Sequence, residues 1–318
     1  MASDEFKPLL DRSEAARAAS QLIELACPLL RELVNKATWV FSRCTSAGAR
    51  IGAENEDLAA LTLYRHMIEL VDGVEVLFAA SCVDASVPLV RAEFEASLSL
   101  DYILQADYVR RSLCWSCAYL HARIDSHRRL DPTTDAGAEF DGVWQRDDLG
   151  VRTTHDSGPN VVALESVLSR DEFKPVEAEY RRLRRERRRR PEWFQMFGGP
   201  QDRRALAKVV GRETQYLVLY KDWSGFSHAA DASPYLRSGR APGQAAFLAV
   251  RSAHEMQHRA ALAALWMLRA TRLTLRHFRP DDDLGEWYGR DVRPRLDQLR
   301  AMRVVVVEHD GPDSDAPS

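Results

Sequence analysis

Three polar side chains that could take part in acid–base chemistry recur at four-residue intervals in the segment YKDWSGFSHA, residues 220–229. Tyr220, Ser224 and His228 carry a phenol, a hydroxyl and an imidazole. Residues four apart are only about 40° apart around a helix, so all three share one helical face. The row predicts either a catalytic or ligand-binding pocket or a hydrogen-bond network that fixes helix register. The segment lacks the G-x-S-x-G elbow of α/β-hydrolases, which argues against a serine hydrolase.

A second polar row lies in the segment LVRAEFEASLSLDYIL. Arg91 and Glu95 are one helical turn apart among many apolar residues, so each can neutralise the other in a partly buried position. If this helix packs against the helix that carries His228, the two rows form a single polar pocket. Glu95 and His228 must then lie close together.

The segment HEMQH, residues 254–258, fits the pattern H-E-x-x-H of zinc metalloproteases. On a helix, His254 and His258 can bind Zn²⁺ from one side while Glu255 activates a metal-bound water. Glu286 is the downstream candidate for a third ligand, but the glycine and third histidine of the longer metzincin pattern are absent. The motif predicts a zinc-dependent hydrolase, and the alternative is a helix with two histidines at the margin of its apolar face.

Cysteine and histidine also coincide near the middle of the chain. Cys114, Cys117 and His121 place three soft metal ligands along one predicted helical face. A structural zinc site usually needs four ligands, and a redox C-x-x-C normally starts a helix, whereas this one lies mid-helix. The pattern is therefore more typical of core cysteines.

The segment YRRLRRERRRRP concentrates positive charge, with eight arginines between residues 181 and 190. Arg184, Arg185, Arg188 and Arg189 are candidates to bind the phosphates of RNA, DNA or a nucleotide. The alternative is a solvated helix end, since arginines at a helix C-terminus match the helix dipole.

Helical periodicity dominates the chain and predicts an all-α fold, a multi-helix bundle in one domain. We predict a flexible N-terminus (1–10), a helical domain (11–303) with a polar loop insertion at 130–160, and a disordered acidic tail (304–318). Helices are also expected over residues 12–47, 212–229 and 243–278. Bundles with exposed apolar faces often dimerise, so a homodimer is one expected state.

Composition narrows the class of protein further. The net charge of the 318 residues is −3, which argues against a global attraction to nucleic acid or membrane. No apolar run reaches the roughly 20 residues that span a bilayer, and no signal peptide is recognisable. The five cysteines fit a reduced, cytoplasmic protein, and the excess of arginine over lysine is typical of a GC-rich bacterial gene.

Two segments, LVRAEFEASLSLDYIL and LAKVVGRETQYLVLYKDWSGFSHA, resemble an uncharacterised family of bacterial all-helical proteins over about residues 55–230. The resemblance implies a helical fold and no particular activity. It makes five residues family-like positions: Arg91, Glu95, Tyr220, Ser224 and His228. The family is also similar to HEPN domains, many of which are ribonucleases with an Arg-x(4–6)-His motif.

That ribonuclease motif occurs here only as often as composition predicts, in the pairs Arg251/His258, Arg272/His277 and Arg303/His309. The sequence therefore favours a ligand- or nucleic-acid-binding or regulatory module that uses a polar pocket between helices. A zinc-dependent hydrolase at HEMQH and a HEPN-like, metal-independent ribonuclease remain as alternatives.

Overall fold

The computed structural model shows an all-α, multi-helix fold that clusters into two compact units. It describes residues 9–46, 55–147, 158–187, 190–220, 223, 236–238, 245–247 and 249–302. The first unit comprises Met1–Cys44, Arg65–Ser97 and Leu219–Ser318, and the second comprises Thr45–Tyr64 and Leu98–Val218. The boundaries at residues 64/65 and 97/98 fall inside helices. The prediction of one domain over residues 11–303 stays a prediction.

The helices and strands have the following bounds: α1 Arg12–Ser46, α2 Asn55–Ala79, α3 Val87–Gln105, α4 Tyr108–Leu130, α5 Asp135–Asp147, α6 Gly158–Leu168, α7 Lys174–Arg187, α8 Arg203–Val209, α9 Glu213–Gln215, β1 Leu236–Ser238, β2 Ala245–Phe247, α10 Met256–Phe278, α11 Gly285–Trp287 and α12 Arg293–Ala301. A π-helical turn, Tyr216–Tyr220, follows α9, and another, Tyr288–Val292, follows α11. Strands β1 and β2 form one short antiparallel hairpin.

Helix α1 shows how sequence pattern produces structure in the first unit. The Asp11 carboxylate accepts a hydrogen bond from the backbone N–H of Glu14 at 2.8 Å, so Asp11 caps the N-terminus of the helix. Buried side chains then recur every three or four residues along the helix, which gives it one continuous apolar face. These residues are Ala15, Ala19, Leu22, Ala26, Leu29, Leu33, Ala37, Val40 and Cys44.

Charged side chains join the elements of the first unit. The Arg43 guanidinium donates to both carboxylate oxygens of Asp282 at 2.8–3.2 Å, a bidentate geometry that fixes orientation as well as contact. Arg259, which is buried on α10, donates to the Val83 carbonyl at 2.8 Å and to the Asp84 carboxylate at 3.0 Å.

The second unit is organised around α4, which packs against α5, α6 and α7. Its buried face contains Leu113, Cys117, Leu120 and Ile124, which lie three or four residues apart. Burial of these side chains at helical spacing supplies the main stabilisation of the helix, because propensity alone is weak.

The segment 130–160, predicted as a loop, instead contains the helix α5, residues 135–147. The Thr134 hydroxyl accepts a hydrogen bond from the backbone N–H of Gly137 at 3.0 Å, and Asp135 stands in the first turn. Both features stabilise a helix N-terminus. The segment around this helix is polar and interrupted by Pro, Gly and Asp, and these residues favour a loop in a sequence pattern.

The long helix predicted from residue 243 begins later. Residues 245–247 form strand β2, and α10 begins at Met256. Of the predicted helix 212–229, the structure describes α9 and the π-helical turn Tyr216–Tyr220. The predicted flexible segment 1–10, apart from its last two residues, and the tail 304–318 lie outside the described residues.

No helix in the described part of the chain combines the length and hydropathy needed to span a bilayer. The predicted cytoplasmic location and the predicted homodimer stay predictions.

The contact between α4 and the start of α2 allows a stability prediction. The Tyr108 hydroxyl donates to the Asp57 carboxylate at 2.7 Å, and burial, followed by this hydrogen bond, raises the pKa of Tyr108 far above its ordinary value. Tyr108→Phe removes the donor, so we expect the free energy of unfolding to fall by about 1–2 kcal/mol. Urea denaturation followed by circular dichroism measures the change. Tyr119→Phe, at an exposed position of α4, is the control and should change nothing. Equal stability of both variants would contradict the prediction.

Candidate functional site

Helices α4 and α7 bring three polar side chains together inside the second unit. Cys117 and His121 are one turn apart on α4, and Glu177 stands in the first turn of α7. The carboxylate oxygen Oε2 of Glu177 lies 2.6 Å from His121 Nε2 and 3.5 Å from Cys117 Sγ. The Cys117 and Glu177 side chains are buried, and His121 is largely buried.

Two further residues of α7 hold this cluster in place. Arg181, one turn after Glu177, donates from Nε to the other carboxylate oxygen, Oε1, at 2.5 Å. The Tyr180 ring stacks on the His121 ring, with a centroid distance of 4.2 Å and an angle of 6° between the planes. The imidazole is therefore restrained in its plane by stacking and at its edge by a hydrogen bond.

Burial and charge set the protonation states of the cluster. Burial raises the pKa of Glu177, but the hydrogen bonds from His121 and Arg181 outweigh it, so the pKa lies below its ordinary value. Burial, and then the nearby Glu177 charge, raise the pKa of the Cys117 thiol well above its usual range. At neutral pH, Glu177 is therefore a carboxylate, and Cys117 is a thiol that donates to it.

A cavity of about 540 Å³ adjoins the cluster, within the size range of small-molecule sites. Its lining residues come from α4, from α6 and the residue after it, and from α7: His121, Ile124, Arg128, Glu165, Leu168, Ser169, Tyr180, Arg181 and Arg184. Three arginines line the cavity together with one carboxylate, so the charged groups at its wall are mainly cationic.

Each of the three arginines is held by a carboxylate. Arg128 pairs with Glu165 at 2.6 Å, Arg181 pairs with Glu177, and Arg184 lies 3.5 Å from the Asp125 carboxylate. A guanidinium has five N–H donors, so one carboxylate leaves others available. The pairs orient the guanidinium groups without using all their donors.

The hydroxyl of Tyr180 is buried, and it has no hydrogen-bond partner among the described residues. Burial also raises the pKa of Tyr180, so the hydroxyl keeps its proton and remains a donor. Buried polar atoms without partners are rare in folded proteins and often mark a place where a water or a ligand binds.

Comparison with protein families places this cavity in a recognised segment. A model of a family of unknown function (DUF5677) matches residues 57–242, which is more than half of the chain. The chain belongs to this family. The predicted membership in an uncharacterised helical family is thereby confirmed, and the distant similarity to HEPN domains stays a prediction. Searches of curated proteins and of solved structures gave no significant match.

The family segment contains every residue of the cluster and of the cavity wall. It ends before HEMQH and before Glu286. The membership therefore covers the α4–α7 site, and it does not extend to the predicted zinc protease motif.

The polar row of α3 also lies in the family segment, and the structure describes both Arg91 and Glu95. Arg91 Nε lies 3.3 Å from Glu95 Oε1, and both side chains are largely buried. The two residues therefore pair as the sequence suggested. The side chain of Tyr220 and the whole of Ser224 and His228 lie outside the described residues, so the predicted pocket between the two rows stays a prediction.

The expected helical placement of HEMQH is corrected by the structure. Helix α10 begins at Met256, while His254 and Glu255 form the turn before it, with Glu255 in a left-handed conformation at φ 64°. The H-E-x-x-H chemistry requires the two imidazoles to lie one turn apart on a helix. Because His254 precedes the helix, they do not have this arrangement here. Glu286 is 91% exposed and pairs with Arg290 at 3.4 Å. Among the described residues, none of these groups belongs to a three-ligand cluster.

The arginine run divides into residues with different surroundings. Arg184 lines the cavity, and Arg185 lies on the exposed surface of α7. Arg188 and Arg189 lie outside the described residues. Arg182 is neutralised locally, because it binds Glu179 and Glu186. Several arginines of the run therefore form ion pairs with carboxylates of the same chain.

Glu177 is the functional candidate that sequence reasoning missed. Its α4 partners Cys117 and His121 were recognised as a possible ligand set, but Glu177 is 56 residues further along the chain than His121. A signal exists in α7: Val176, Tyr180 and Leu183 mark the buried face, and Glu177 lies within it. A carboxylate on an apolar helical face needs a polar partner.

The structure describes two of the three Arg-x(4–6)-His pairs, Arg251/His258 and Arg272/His277, and the ribonuclease alternative stays a prediction. Arg251 donates to the Ala80 carbonyl at 2.8 Å, and His258 is exposed on α10. Arg303 and His309 lie outside the described residues.

Proposed function

We propose that this chain is a ligand-binding module, and that the cavity between α4, α6 and α7 binds a phosphate-bearing molecule of nucleotide size. The observation that carries the proposal is the convergence of Arg128, Arg181 and Arg184 on one cavity of about 540 Å³. Arginine is suited to phosphate because its planar fork can bind two oxygens at once.

The buried hydroxyl of Tyr180 supports the same reading. Tyr180 lines the cavity, and its buried hydroxyl keeps a proton that it can donate to a phosphate or ribose oxygen that reaches it. Ile124 and Leu168 supply an apolar part of the wall. A concave wall that combines convergent polar groups with apolar side chains is a feature of small-molecule sites.

The concave geometry favours a small ligand over a nucleic-acid polymer. A polymer backbone needs a continuous exposed row of cations, whereas Arg182 and Arg187 of the run bind Glu179, Glu186 and neighbouring glutamines. Binding of RNA or DNA is therefore an alternative outcome of the titration described next.

Isothermal titration of the full chain with ATP, GTP and inorganic pyrophosphate tests the proposal. We expect one of these probes to bind with one site per chain and to bind more weakly as salt is raised. Arg128→Gln and Arg184→Gln should each weaken binding about tenfold to a hundredfold, because a hydrogen bond to a charged group contributes about 1.5–3 kcal/mol.

Arg65→Gln is the matched control, since Arg65 is exposed on α2 and pairs with its helix neighbour Glu69. It should bind each probe as tightly as the wild type. Absence of binding of all three probes to the wild type, or equal binding by Arg128→Gln and Arg184→Gln, would refute the cavity proposal. Binding of a single-stranded RNA that these variants leave unchanged would assign the ligand to another surface.

A further inference from the structure

Beyond phosphate binding, the cluster beside the cavity has the composition of a metal site. Cys117 Sγ, His121 Nε2 and a carboxylate oxygen of Glu177 all lie within 4.8 Å of one another. The described part of the chain contains no second group of this kind. Thiolate, imidazole and carboxylate are the three ligand types that Zn²⁺ takes from proteins.

We infer that Cys117, His121 and Glu177 bind one Zn²⁺-like transition metal ion, with a fourth coordination position left for water or a cavity ligand. Three protein ligands with one open position are typical of reactive rather than purely structural zinc sites. His121 both belongs to the cluster and lines the cavity, so the cluster adjoins space that a fourth ligand can occupy.

The three candidate ligand atoms need to move little to reach the separations found around a metal ion. Ligand atoms around a tetrahedral Zn²⁺ lie about 3.4–3.6 Å apart, given the usual bond lengths. The Cys117 Sγ to Glu177 Oε2 distance is 3.5 Å, which already fits. The His121 Nε2 to Glu177 Oε2 distance is 2.6 Å, so it must lengthen by under about 1 Å as the ion replaces the hydrogen bond.

Neighbouring residues orient the ligands in the way that metal sites require. Arg181 binds Glu177 through Oε1, which leaves Oε2 facing Cys117 and His121. Tyr180 stacks on His121 and restrains its ring plane. Such outer contacts fix ligand orientation in metal sites.

The charges and protons balance. Binding forms bonds from the metal to Cys117 Sγ and His121 Nε2. The thiol proton is released to solvent, and the proton on Nε2 moves through solvent to Nδ1, so the imidazole binds as a neutral ligand. The cysteine thiolate and the Glu177 carboxylate together neutralise Zn²⁺. Without metal, the same thiol donates its hydrogen bond to Glu177. No oxidant or reductant is needed.

Cys114 provides a matched control. It is a buried cysteine one turn before Cys117 on α4, with a pKa that burial raises to about 12, and it is outside the three-ligand group. Cys114→Ser should therefore keep the metal, whereas Cys117→Ser should lose it if the inference is correct.

The test is titration of the metal-free full chain with Co²⁺ and Zn²⁺ in a buffer without phosphate, so the result does not depend on the phosphate proposal. We expect about one bound Co²⁺ per chain, tetrahedral visible bands and a thiolate-to-cobalt charge-transfer band, all displaced by Zn²⁺. Cys117→Ser should lose the charge-transfer band, and both it and His121→Gln should bind at least tenfold more weakly. Cys114→Ser and His254→Ala should match the wild type.

Two results would overturn the inference. One is a wild-type chain that does not bind Co²⁺ stoichiometrically, or that binds it without the charge-transfer band. This result comes from the wild type alone, so it does not depend on the folding of any variant. The other is metal that survives in Cys117→Ser and is lost in His254→Ala, which would assign it to HEMQH. Circular dichroism of each variant confirms that it is folded.

Discussion

Replacing Arg212 with methionine is expected to lower the free energy of unfolding by about 3–5 kcal/mol. Arg212 Nη1 lies 3.2 Å from the Asp101 carboxylate, and the two side chains are only 5% and 4% exposed. Methionine removes the guanidinium and leaves the Asp101 carboxylate without that partner inside the second unit. Removing one member of a buried ion pair costs far more than the pair contributes, because the other charge stays out of water.

Urea denaturation followed by circular dichroism measures this loss. The double variant Arg212→Met/Asp101→Leu should recover part of the stability, because it removes both buried charges together. Arg65→Met is the control at an exposed pair and should change the free energy of unfolding by less than about 0.5 kcal/mol. A loss below about 1 kcal/mol for Arg212→Met would mean that the pair does not need mutual neutralisation.

The second large effect is expected in the core of the first unit. Phe94 is fully buried, and its ring lies 4.9 Å from the ring of Trp266, centroid to centroid. Phe94→Ala leaves a cavity beside the indole, so we expect a loss of about 3–5 kcal/mol of unfolding free energy. Thermal and urea denaturation both measure it.

Graded substitution at the same position separates cavity formation from other causes. Phe94→Leu keeps most of the apolar volume and should cost clearly less than Phe94→Ala. Val76→Ala, at a position 57% exposed on α2, should stay within about 0.5 kcal/mol of the wild type. Equal losses for Phe94→Leu and Phe94→Ala would show that ring packing against Trp266, rather than volume, controls stability.

The elements that the sequence predicted best are those whose stabilisation is local and periodic. Helix α1 has a capping aspartate at its start and an apolar residue every three or four positions, and the structure begins it at Arg12. The pairing of Arg91 with Glu95 was likewise visible, because both residues belong to one helical turn. Such features depend on neighbours in sequence alone.

The predictions that needed correction depend on local geometry that composition does not reveal. HEMQH matches a zinc motif letter by letter, but the helix begins at Met256, inside the motif. Helix α5 was predicted as a loop because its residues are mostly polar, although Thr134 caps it. A motif specifies residue types, and the chemistry also requires the backbone to place them on one face.

The sequence by itself determined the all-α class, the family and the main helical faces, because apolar period and capping residues act within a few positions of one another. Only the tertiary structure decided which polar groups meet. Packing of α7 on α4 brings Glu177 to His121 across 56 positions and places Arg128 and Arg184 around the same cavity. Such contacts depend on how helices pack, and the identity of each residue is compatible with many packings.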